Sequence, residues 1–193
     1  ATGAIGPVNV KADLAFTTGE SGLKGGTPID TEGFGAYLAG FLNAGMANFG
    51  LEYAYAKGND PGTGKNEGGF SHDYHGPFNS VILWNGMDYQ GYLNLQRGVG
   101  GDIGFRNAHG VKLSATANPS EKLSLIGAVV WGKVDQEGMA PSDELGWEFD
   151  AIGVYNIYDN LAWTLGFGYL AAGDYFGDVD NPWGVMNRIE VKF

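Results

Sequence analysis

From Val8 to Thr18 the chain reads VNVKADLAFTT, with Val8, Val10, Ala12, Leu14 and Phe16 alternating with Asn9, Lys11, Asp13, Ala15 and Thr17. A period of two means a strand with one apolar and one polar face. The same period returns in MANFGLEYAYAK, where Phe49, Leu51, Tyr53 and Tyr55 share a face opposite Asn48, Gly50, Glu52 and Ala54. It continues in HGVKLSATA, in KLSLIGAVVWGK, in LGWEFDAIGVYNIY and in LAWTLGFGYLA. The last residues alternate too: Val185, Asn187, Ile189, Val191 and Phe193 lie against Met186, Arg188, Glu190 and Lys192. Residues 31–42, TEGFGAYLAGFL, are apolar on both faces, so their sides stay unassigned. Eight strands are predicted, in an all-β chain.

Connection lengths alternate as well. NAG at 43–45, NPSE at 118–121 and DN at 159–160 are tight turns, rich in the residues that turns favour. The links near 19–30, 58–106, 134–143 and 172–184 are long and polar. Short turns on one rim and long loops on the other describe an antiparallel transmembrane β-barrel of the bacterial outer membrane, with its short turns in the periplasm and its long loops outside. An even strand number puts both termini on the periplasmic side.

Sidedness agrees with that architecture. A soluble barrel keeps its apolar face inside, but here the bulky face ends in aromatics suited to a membrane interface: Tyr53, Tyr55, Trp131, Trp147, Tyr155, Trp163 and Tyr169. The charged face then lines the lumen through Lys11, Asp13, Glu52, Lys112, Glu148, Asp150, Arg188, Glu190 and Lys192. In a narrow barrel these charges must pair, whereas in a wide one they line water and set ion preference.

Composition supports this pattern. The 34 Gly, 10 Tyr, 11 Phe and 5 Trp favour strands and turns, and no apolar run approaches the length of a membrane helix. A formal net charge of −11 argues against nucleic acid as a partner. With no Cys, disulfide and thiolate chemistry are absent. The first residues lack the basic start and apolar core of a secretory signal.

A C-terminal strand with Ile189, Val191 and Phe193 at alternate positions resembles the assembly signal of outer-membrane barrels, which implies the outer-membrane assembly machinery as a partner beside membrane lipid. More narrowly, HGVKLSATANPSEKLSLIGAVVWGK and YNIYDNLAWTLGFGYLAAGDYF are similar to the last hairpins of alginate-export-type porins, over Gly104 to Phe193. The resemblance implies a channel for passive diffusion of small hydrophilic solutes or ions. Porins of that family are about twice as long, so the chain also reads as the C-terminal part of a larger barrel. The other reading is a small closed structural or adhesive barrel whose long loop binds a partner. Whether barrels associate into homo-oligomers is left open by the sequence.

Residues 58–106 form the least expected connection, because loops of such length are usually functional. Its segment FNSVILWNGMDYQGYLNL is apolar enough to fold inward as a constriction. Catalysis finds little support. His72 and His75 in HDYH have the spacing of a metal pair, but no third ligand can be placed. His109 with Ser71 or Ser80 lacks the spacing of a nucleophile and its base. Asp174, Asp178 and Asp180 near Asn181 lack the regular order of a calcium loop. The chain is therefore read as a non-enzyme without cofactor or metal.

Overall fold

The alternating segments assemble into one antiparallel meander in which each strand pairs with its neighbours in sequence. The structure, a computed structural model, describes residues 1–21, 26, 28–68, 78, 80–84 and 105–193. Its strands are β1 (Thr2–Ile5), β2 (Val8–Ser21), β3 (Ile29–Ala44), β4 (Ala47–Ala56), β5 (Ala108–Ser120), β6 (Leu123–Val134), β7 (Glu144–Tyr158), β8 (Leu161–Ala172) and β9 (Trp183–Val191). All eight predicted strands are present. Among the described residues no helix is long and apolar enough to cross a membrane.

A ninth strand, β1, was not predicted. Four residues are too few for a periodic signal, but Gly6 at φ 59° lets the chain reverse before Pro7 and pair Ile5 with Val8. Ala1 consequently sits level with Ala12, exchanging backbone hydrogen bonds with it, and not at the short-turn rim that an even strand number implied. β9 does end at that rim, where Val191 faces Leu161. Among the described residues β9 pairs only with β8, and from Asp13 to Ser21 β2 pairs only with β3. The sheet therefore has two open edges.

Burial fixes the faces. Leu14, Leu51, Leu113, Phe149, Leu165, Phe167 and Val185 point to the outside and are exposed, while Glu52, Lys112, Glu148 and Asp150 on alternate positions are buried. Strand β3, whose sides the sequence left unassigned, is settled by one bond: the Tyr37 hydroxyl donates to Glu52 Oε2 at 2.7 Å, so Tyr37 is inward and Leu38 outward. Outward Trp and Tyr side chains mark two register rows, with further outward aromatics such as Phe149 and Phe167 between them. Tyr53, Val111, Trp131 and Trp147 are successive partners toward the long-loop end, and Leu123, Tyr155, Trp163 and Ile189 toward the short-turn end. On β7 the rows are separated by the eight steps from Trp147 to Tyr155, or ~26 Å of strand. The outward Asn187 between them accepts a 2.7 Å hydrogen bond from Trp163 Nε1.

A bulge between β6 and β7 gives this sheet an inward-pointing side chain. Gly132 pairs with Gly146 and Lys133 with Glu144, leaving Leu145 as the extra residue, fully buried. Gly146 takes φ 106°, and a Cβ there would stand 2.1 Å from the Ala171 carbonyl oxygen. Only glycine fits both demands. Gly146→Ala is expected to lower stability by about 1–3 kcal/mol, read as a lower urea midpoint of the folded protein in detergent; an unchanged midpoint would show that the bulge is relaxed.

Candidate functional site

On the concave face, small residues make the wall. Ala54, Ala56, Ala108 and Gly110 on β4 and β5, with Gly132 on β6 and Gly168 on β8, leave a hollow that the β4–β5 connection fills. Phe78, Val81, Ile82, Leu83, Trp84 and Phe105 of that connection are each 6% exposed or less. A Cβ at Gly110 would lie 2.6 Å from Phe78, one at Gly132 2.3 Å from Trp84, and one at Gly168 2.8 Å from Val81. Phe78, Trp84 and Phe105 pack as a three-ring cluster with centroids 4.8–5.4 Å apart. Bulk on the loop thus answers its lack on the strands.

Polar bonds fix the loop in this hollow. Ile82 N–H donates to Glu148 Oε1 at 2.5 Å and Leu83 N–H to Glu148 Oε2 at 2.7 Å, while Val81 N–H reaches Asp150 Oδ2 at 3.3 Å. Ser80 and Trp84 close the turn on themselves: the Trp84 N–H donates to Ser80 Oγ and the Ser80 N–H to the Trp84 carbonyl. Glu148 is 0% exposed, and a buried carboxylate persists only where donors replace its water. Two consecutive amides supply them here. A second network lies beside it, with Lys112 Nζ 2.9 Å from Glu52 Oε1 and 5.4 Å from the centre of the Phe78 ring.

The nine candidate lumen residues fall into two groups. Glu52, Lys112, Glu148 and Asp150 are buried against the loop or one another. Lys11, Asp13, Arg188, Glu190 and Lys192 lie on β2 and just beyond or within β9, away from it. Arg188 and Lys192 both approach Glu190, at 2.5 and 3.4 Å, and Lys11 stands 5.4 Å above the Phe41 ring. Of the candidate assembly residues, Ile189, Val191 and Phe193 are all exposed on the outward side.

At the long-loop rim, Lys57 bonds Glu67 at 2.6 Å and, with the Thr63 hydroxyl, holds its carboxyl below the usual carboxylate range. Nearby, Asn59, Asn66, Arg106, Asn107, Gln136 and Tyr175 line a hydrophilic cavity of about 630 Å³. Burial pushes the Tyr175 hydroxyl up from its ordinary value.

The remaining candidate chemistry is dispersed. Ser71, His72, Asp73 and His75 lie outside the described residues. His109 faces outward, bonded to the Tyr53 hydroxyl at 2.9 Å and near Asp135 at 3.4 Å, whereas Ser80 is inside the hollow, so the two cannot pair. Among the described residues no group of three His, Cys, Asp or Glu is placed to hold a metal ion. Asn181 instead ties its loop to β8, accepting from Ala172 N–H and donating to the Tyr169 hydroxyl.

No family model and no curated protein matches the chain. Among solved structures, one described as the NanC porin in a rhombohedral crystal form is 12% identical, with 100% of this chain and 90% of that one covered and a TM-score of 0.46. At that identity and score the likeness assigns no function.

Glu148→Ala orphans two buried N–H groups, each costing about 1–3 kcal/mol. Residues 80–84 are expected to leave the hollow and become cleavable by added protease, with the β-sheet circular dichroism retained. Equal protease resistance in the variant and the parent would show that aromatic packing alone holds the loop.

Proposed function

We propose that the chain is an outer-membrane β-barrel acting as a porin-like channel, through which small hydrophilic solutes or ions diffuse passively past the inserted β4–β5 loop. The observation that carries this reading is the sidedness of the sheet: aliphatic and aromatic side chains are exposed outward, while Glu52, Lys112, Glu148 and Asp150 are buried inward. A soluble sheet with this sidedness would leave a large apolar surface in water, whereas in hydrocarbon the same surface is satisfied. The two aromatic rows suit the two interfaces: at a strand tilt of about 40°, ~26 Å of strand spans roughly 20 Å of height, within an apolar band of about 25 Å.

Open edges do not persist in lipid, because unpaired backbone groups there cost several kcal/mol each. β2 and β9 run antiparallel in the meander, so closure pairs β9 with the part of β2 beyond Ala12 that β1 leaves free, directly or through further strands. Ordered this way, the tight turns stand in the periplasm, the long loops and the hydrophilic mouth cavity stand outside, and the strand carrying Ile189, Val191 and Phe193 is the part read by the assembly machinery. The narrower resemblance to alginate-export-type porins adds a prior for hydrophilic cargo and names no solute.

The buried loop favours a second reading, a closed barrel whose function lies in its external loops. Planar-bilayer recording of the purified, refolded chain separates the two. Stable conductance steps that rise several-fold in Glu148→Ala are the expected result; silence from protein shown to be inserted would leave the closed barrel.

A further inference from the structure

The described residues of the β4–β5 connection that enter the hollow, Phe78, 80–84 and Phe105, lie against only part of the inner wall. They pack over β4 through β8, where Ala54, Ala108, Gly110, Gly132, Glu148 and Gly168 touch them or are sealed by them, and the Tyr37–Glu52–Lys112 network fills the wall beside them. On β2 and β9 the inner positions are different. Lys11 and Asp13 are exposed, and the side chains of Arg188, Glu190 and Lys192 keep 30%, 35% and 79% of their accessibility. A side chain sealed under the loop does not touch passing ions, whereas an exposed inward one does.

Resting on the channel reading above, we infer that the conducting path runs along the β2–β9 side of the barrel, and that Lys11, Asp13, Arg188, Glu190 and Lys192 set its ion selectivity. Glu148 and Asp150 hold the loop, Glu52 and Lys112 pair with each other beside it, and none of these four inward side chains sets the selectivity. The signs then follow from the side chains. Arg188 and Lys192 share the single carboxylate of Glu190, while β2 contributes one cation and one anion, so three positive charges face two negative ones. A path with this surplus prefers small anions, although the chain as a whole carries −11.

Two measurements test this on the full chain. In a potassium chloride gradient the reversal potential should show chloride preferred, and Lys11→Gln with Arg188→Gln, which leaves one positive charge against two negative, should turn the preference to potassium. Since the chain has no Cys, single thiols can be probed in the inserted protein with a membrane-impermeant maleimide. Lys11→Cys and Arg188→Cys should label at least ten-fold faster than Ala54→Cys and Ala108→Cys, whose parent side chains are 0% exposed. Conductance with a selectivity indifferent to the Lys11 and Arg188 changes, or equal labelling at all four thiols, overturns the inference alone. Silent bilayers with inserted protein overturn the channel reading and the inference with it.

Discussion

A carboxylate with no water left around it is the constraint on which the interior depends. Glu148 is fully buried, and the N–H groups of Ile82 and Leu83, one on each oxygen, replace its hydration. Such charge-assisted bonds are stronger than neutral ones, and their geometry leaves the loop little choice of position. With Ile82 and Leu83 fixed, Val81 meets Gly168 and Trp84 meets Gly132, so the glycines on β6 and β8 acquire their reason. Phe78 and Phe105 then complete the ring cluster against Gly110 and Ala108. One acid therefore aligns packing across four strands.

The outer surface obeys the opposite rule. Each strand spends alternate residues on two environments, and here the polar environment is the enclosed one. Asn187 shows how strict the rule is, since this outward amide has the Trp163 indole as its hydrogen-bond donor. Inside, among the described residues, the wall has a sealed part under the loop, where charges bind protein, and a part on β2 and β9 where they remain half-buried or exposed. The same residue types thus do different work according to what lies over them.

Much of this was legible in the sequence. Strict alternation located eight strands, and alternating connection lengths separated the two rims. Bulk against charge on alternate positions gave the orientation of strands such as β2, β4, β5, β7 and β9, but not of β3, whose apolar residues on both sides conceal the inward Tyr37. Periodicity also could not reveal β1, which is too short to repeat, and the position of Ala1 moved with it. Within the charged face, spacing marks Glu148 and Lys11 as equivalent; only the long-range contact with Ile82 and Leu83, 66 and 65 residues distant from Glu148 in the chain, tells them apart. The apolar segment around Val81–Trp84 was visible as a loop too hydrophobic for water, but the acids that receive it left no local signature.

Tryptophan makes the central claim, apolar outside and loop-filled inside, directly measurable. Single-tryptophan variants retaining Trp163, exposed on the outward face, or Trp84, 5% exposed in the hollow, would be refolded into vesicles containing lipids brominated along the acyl chain. The account predicts strong quenching of Trp163 and little of Trp84. Quenching of Trp84 with Trp163 unaffected would mean that the sheet faces the other way, and the account would fail.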